Sequence, residues 1–175
     1  MNLVIANRQR TKKVNPRLLR QIVSGLMAEL KITEAELGIN FVGANEMAKV
    51  NRQFLRHDGS TDVITFDYAT KVAQASRLRR PPPARETHRR DACATLHGEL
   101  FVCVDEAVLQ AKQFKTRWQS EIVRYIVHGV LHLRGHDDLE PDLRRKMKRA
   151  ENRLVRALAK RFSLAQLSAA GKLRA

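Results

Sequence analysis

Residues 128–138 read HGVLHLRGHDD, which sets His128, His132, Gly135 and Asp138 at offsets of 0, +4, +7 and +10. On a helix turning about 100° per residue, side chains four apart share a face, so both imidazoles can reach one ion. A glycine three residues beyond the second histidine suits the left-handed backbone that ends a helix and turns the chain back. The returning segment then supplies a third ligand, either Asp138 or, in its place, His136. Three protein ligands leave one coordination position for solvent or substrate, which is the arrangement of catalytic rather than structural zinc.

The spacing is close to the HExxHxxGxxH and HExxHxxGxxD patterns of zinc peptidases but differs at the residue that begins their chemistry. Those enzymes place a glutamate general base after the first histidine; here that residue is Gly129. Peptide hydrolysis by that route has no base. Chemistry whose nucleophile needs only metal activation, or belongs to the substrate as an RNA 2′-hydroxyl does, stays open.

The elements that must position these residues follow from apolar periodicity. Residues 3–6 read as an opening strand. Pro16 stands where a helix start tolerates proline, and Leu18, Ile22, Val23, Leu26 and Leu30 continue at helical spacing. Residues 37–42 read as a buried strand, and Asn45 opens a second helix with Met47, Val50 and Phe54 on its stripe. A polar turn over 57–60 leads to a strand at 61–66, and another strand covers 99–104. Two helices follow, one through Ala107 and Leu109 to Phe114, the other from about Ser120 to Leu133. A last helix starts near Pro141 and ends about Arg161. This order predicts a single α+β domain over residues 1–161, a mixed sheet of about four strands packed with about five helices. The metal site falls on a central helix and the turn after it.

Between Phe66 and Gly98 the periodicity stops. Residues 77–90 hold six arginines, one acid and the run Pro81, Pro82, Pro83. Such a composition cannot bury enough apolar surface to offset its ordering entropy, which predicts a basic, flexible insertion loop over 69–97. Its arginines, among them Arg77, Arg79, Arg80, Arg89 and Arg90, suit RNA phosphates without sequence preference, or simply solvent. From Arg144 onward there are eleven basic residues and a single acid, Glu151. Residues 162–175 read as a basic tail.

The whole chain carries 33 Lys and Arg against 18 Asp and Glu, a net charge of +15, which exceeds what solubility asks for. The surplus points to a polyanionic partner, nucleic acid or the ribosome before an anionic membrane. No apolar stretch approaches the roughly 20 residues of a membrane span, so no membrane partner is expected. The first acid is Glu29, but the basic start reads as a strand and turn rather than a transit peptide. Cys93 and Cys103 lack CxxC spacing in a chain of 175 residues, long enough to fold without a disulfide. They read as reduced thiols of a cytoplasmic protein, with Cys103 in the core.

Three separated segments, TDVITF at 61–66, GEL at 98–100 and HGVLHLRGHDD at 128–138, recur in order with Asn51, Arg52, Phe54, Arg56, His57 and Asp58. Across about residues 38–160 the chain thereby resembles the YbeY family of rRNA maturation endoribonucleases. The resemblance implies a zinc-dependent, single-strand-specific endoribonuclease that matures the 3′ end of 16S rRNA and takes part in bacterial ribosome quality control. Its implied partners are single-stranded rRNA and the ribosome or small-subunit precursor. Its implied cofactor is one Zn²⁺, held by His128, His132 and the residue that closes the motif. The family usually closes it with a third histidine where this chain has Asp138, and often has a tyrosine where this chain has His136. A carboxylate is an acceptable zinc ligand, although a shell with one carboxylate is less positive and leaves bound water less acidic. The family also tends to carry an arginine near the turn before TDV; the nearest here is Arg56, one place off. The Arg-rich loop lies outside the resemblance.

Around a scissile phosphate, Arg56 is expected to steady the phosphoryl oxygens and His57 to act as general acid or base, unless both are solvated turn residues. Asp62 is expected to fix its turn rather than touch substrate. Two other function classes stay open. A ribosome assembly factor with a structural metal would need His136 to join Asp138 as a fourth ligand, and a metallopeptidase is opposed by Gly129.

Overall fold

The structure, a computed structural model, describes residues 1–68 and 95–168. Its elements run β1 (Asn2–Asn7), α1 (Pro16–Glu29), β2 (Glu34–Val42), α2 (Ala44–Leu55), β3 (Val63–Asp67), β4 (Thr95–Cys103), α3 (Val104–Gln113), α4 (Trp118–Leu133) and α5 (Pro141–Arg161). A 3-10 turn follows at Leu164–Leu167. This is the α+β order that the periodicity predicts, with four strands in one mixed sheet among the described residues. The strands lie in the order β1-β2-β4-β3; β1, β2 and β4 are parallel, and β3 runs antiparallel to β4.

Alternation along the strands decides what each sheet face covers. Leu37, Ile39 and Phe41 of β2 and Leu96, Leu100 and Val102 of β4 join Leu19, Ile22 and Leu26 of α1 in the main core. The buried residues Ile122, Ile126 and Val130 set α4 into the same core. On the opposite face a smaller cluster forms where Met47 of α2 meets Val42, Ile64 and Cys103. Cys103 is a free thiol within it, as its apolar surroundings predict.

Several boundaries differ from the sequence expectation, among them the start of β2, at Glu34 rather than Leu37. Strand β4 starts at Thr95 rather than residue 99, because residues 95–97 pair with Glu34, Ala35 and Glu36 of β2. His97 and Gly98 hide that extension, one being polar and facing Glu36 at 3.4 Å, the other having no side chain to show burial. Val104 does not end the strand but begins α3, where Asp105 and Glu106 in the first turn complement the helix dipole. Thr61 and Asp62 precede β3 as its turn. Past Arg161, where the basic tail was expected to begin, Leu164 and Leu167 are buried and Ser168 bridges to Val14. The arginines 77, 79, 80, 89 and 90 of the expected insertion lie outside the described residues.

Candidate metal centre

Past Gln119 and Ser120, helix α4 is apolar except for one stripe, Glu121, Arg124, Tyr125, His128 and His132, whose spacing of three and four places them on a single face. Two glycines let the helix lie against the β3–β4 pair. A Cβ on Gly129 would stand 2.6 Å from Leu100 Cδ2 and 3.2 Å from Thr65 Oγ1. One on Gly98 would meet Leu133 Cδ2 at 2.5 Å and the Phe66 carbonyl oxygen at 2.7 Å. Position 129 therefore points into the sheet and away from the histidines, and it has no room for the side chain of a peptidase base.

The end of α4 is a Schellman turn. Gly135 takes φ 78°, its N–H donates to the His132 carbonyl at 2.8 Å, and the N–H of His136 donates to the Leu131 carbonyl at 3.0 Å. The reversal brings the His136 carbonyl 3.0 Å from His132 Nδ1. Asp137 Oδ1 accepts the N–H groups of Asp138 and Leu139 at 2.7 and 3.0 Å, while Arg144 Nε donates to the Asp138 carbonyl at 3.0 Å. These bonds hold the loop by its backbone and by Asp137, leaving the Asp138 carboxylate beside the histidines.

His128 Nε2 and His132 Nε2 are 3.1 Å apart. Asp138 Oδ2 lies 3.7 Å from the first and its Oδ1 3.9 Å from the second. The three ligand atoms fall within 4.8 Å of one another, and together they can hold a metal ion. Two imidazole nitrogens on one tetrahedral zinc stand roughly 3.3 Å apart. Of the two candidates for third ligand, Asp138 is in this group; His136 contributes its backbone carbonyl to His132.

The outer partners decide which nitrogens are free. His128 Nδ1 faces Glu151 Oε2 at 3.1 Å and His132 Nδ1 faces a carbonyl. A carboxylate and a carbonyl only accept, so each Nδ1 carries a proton, and in the neutral rings each Nε2 presents a lone pair. Two lone pairs facing one another at 3.1 Å repel unless a cation joins them. The donor set fits a divalent metal, and a carboxylate or carbonyl behind each imidazole is the usual support of a metal-binding histidine.

Glu151 is buried on α5 and receives Lys148 Nζ at 2.8 Å and Arg124 Nη1 at 2.5 Å on its other oxygen. Burial alone would raise its pKa, but the hydrogen bonds from His128, Lys148 and Arg124 hold it at about 2. In return, the Glu151 hydrogen bond raises the His128 pKa against the opposing effect of burial, with the charges of Glu151, Asp62 and Asp138 adding to it. The motif does not reveal Glu151, which is 23 residues from His128 on another helix. The available signal was its standing as the single acid in a long basic stretch.

Arg56 caps α2 with left-handed backbone, φ 57°, and is exposed, as is His57. Among the described residues no hydrogen bond or ion pair joins either one to the three ligands. Asp62 does fix its turn, its Oδ1 accepting from Thr61 Oγ1 at 3.0 Å and from the Val63 N–H at 2.9 Å. Its charge also acts on His128.

The profile of the YbeY family, described as endoribonuclease YbeY, matches residues 4–159. An endoribonuclease YbeY of Bacteroides thetaiotaomicron is 36% identical over 120 residues, 69% of this chain and 72% of that one. Another, of Chlorobium luteolum, is 28% identical over 158 residues, 90% of this chain and 98% of its own length. Among solved structures, the solution structure of TM1509 from Thermotoga maritima matches with a TM-score of 0.58 at 19% identity, covering 97% of this chain and 99% of that one. That likeness bears on the fold alone.

Proposed function

Since this chain belongs to the endoribonuclease YbeY family, we propose that it is a metal-dependent endoribonuclease that cuts single-stranded RNA. The observation that carries this reading is the convergence of His128, His132 and Asp138, with both Nδ1 atoms tied back so that both Nε2 lone pairs point inward. The metal we assign is one Zn²⁺, which suits two imidazoles and a carboxylate. The substrate we assign is 16S rRNA precursor, trimmed at its 3′ end in the cytoplasm during small-subunit maturation and ribosome quality control. The net charge of +15 supports a polyanionic substrate, and among the described residues no helix is long and apolar enough to cross a membrane.

When bound, the ion supplies Lewis acidity to the scissile phosphate or to an attacking water. The chain's own residues do the rest. Glu151 keeps the proton of His128 on Nδ1 and fixes the ring plane; the His136 carbonyl does the same for His132. Arg124 and Lys148 keep Glu151 charged and in place. Arg56 steadies phosphoryl oxygens of strand that runs along the turn before β3, and His57 acts there as general acid or base. Arg77, Arg79, Arg80, Arg89 and Arg90 contact phosphates farther along the strand without reading sequence.

A ribosome assembly factor with a purely structural metal has less support, since such sites take four protein ligands and the described group has three. The test is metal analysis of purified protein together with cleavage of single-stranded rRNA, with and without chelator. A 2′,3′-cyclic phosphate on the product would assign the attack to the RNA 2′-hydroxyl and exclude direct attack by water.

A further inference from the structure

On the same face of α4 as the histidines, one to two turns towards its N-terminus, lies a cavity of about 400 Å³ walled by Asp62, Phe114, Glu121, Arg124, Tyr125 and Lys148. We propose that this cavity receives one base of the RNA strand, stacked on Phe114, and prefers a base that carries an amino group. The inference rests on the RNA-cleaving reading of the adjacent metal centre.

Four observations converge on it. The volume is in the range of sites that enclose a small organic group. Tyr125 is 4% exposed, and its hydroxyl is buried without a hydrogen-bond partner. A buried hydroxyl left in that state is unfavourable, and a ligand that supplies the partner removes the defect. Phe114, at the end of α3, is 62% exposed, an aromatic ring presented to solvent at the cavity. Base stacking on such a ring tolerates any sequence and binds single strands in particular.

The preference comes from the acceptors. Glu121 is buried, and its carboxylate takes a hydrogen bond from Thr116 Oγ1 at 2.6 Å and stands 3.7 Å from Arg124 Nε. Those contacts leave lone pairs on the carboxylate, and Asp62 adds a second acid to the same wall. Adenine, cytosine and guanine each offer an exocyclic amine to a carboxylate; uracil offers none. Arg124 and Lys148 meet at Glu151, directly behind His128, so a base in the cavity leaves its phosphate on the cationic edge next to the ligands.

Labelled 2′-O-methyl oligoadenylate and oligouridylate, which lack the 2′-hydroxyl, test this by anisotropy with the zinc-loaded full chain. Wild type should bind oligoadenylate more tightly. Phe114→Ala should weaken that binding roughly tenfold, and Tyr125→Phe should weaken it several-fold, both variants keeping the wild-type zinc content and melting temperature. Variants that bind as wild type does overturn the pocket, and equal affinity for the two oligonucleotides overturns the amino preference. If wild type cleaves rRNA while the variants bind unchanged, the pocket alone fails. If wild type neither binds nor cleaves RNA, the endoribonuclease reading fails with it.

Discussion

Glu151 Oε2 on α5 stands 3.1 Å from His128 Nδ1 on α4, and through this one contact the longest helix among the described residues sets the tautomer of a histidine in the candidate metal centre. Glu151→Gln preserves the shape but offers a neutral acceptor. Metal affinity should fall ten- to a hundredfold, the usual loss for an outer partner of a ligating histidine, as read by competition with a chromophoric chelator.

The same carboxylate makes metal-free stability depend on acid. Its folded pKa of about 2 lies below the ordinary value of 4.5, so its contribution is present above that ordinary value and is lost as the pH falls through the folded one. The loss is on the order of 3 kcal/mol. Urea titrations of metal-free protein between those pH values should show wild type losing more stability than Glu151→Gln.

Gly129 tests the packing that seats α4. A methyl group there would lie 2.6 Å from Leu100 Cδ2, so Gly129→Ala should cost about 1–3 kcal/mol and lower the melting temperature by several degrees. Gly129→Glu should destabilise the fold further and confer no peptidase activity, because the added side chain enters the sheet.

Asp138 separates ligand from spectator. Asp138→Ala should lose most of its zinc, whereas Asp138→His should keep it. The histidine variant has a more positive shell, so bound water is more acidic and the acid limb of its pH–rate profile should move to lower pH.

Much of this centre was legible in the sequence because it is local. His128, His132 and Gly135 owe their relation to helical periodicity and one turn, and Asp138 closes within the same eleven residues. The strands themselves were legible for a similar reason, since Leu37, Ile39 and Leu100 alternate with the pleat, but their order in the sheet was not. What spacing cannot show is contact between distant elements. Glu151 meets His128 only because α5 packs along α4, and the tie of Arg124 to Glu151 depends on the same packing. The start of β4 was hidden because His97 is polar and Gly98 makes room for Leu133 rather than burying a side chain of its own.

Replacing Arg77, Arg79, Arg80, Arg89 and Arg90 by serine should flatten the salt dependence of RNA affinity, by up to about 3.5 in the log–log slope if all contact phosphates. Cleavage at low salt should persist. Arg56→Ala, by contrast, should lower kcat/KM roughly tenfold with little change in that slope.

The most direct measurement compares wild type with His132→Ala for zinc content and for cleavage of a single-stranded 16S rRNA fragment. Wild type should hold one zinc per chain, stop cutting when chelator is added and resume when zinc is returned, while His132→Ala holds none and cuts at background. Cleavage at the wild-type rate by His132→Ala, or by zinc-stripped wild type, would contradict the account.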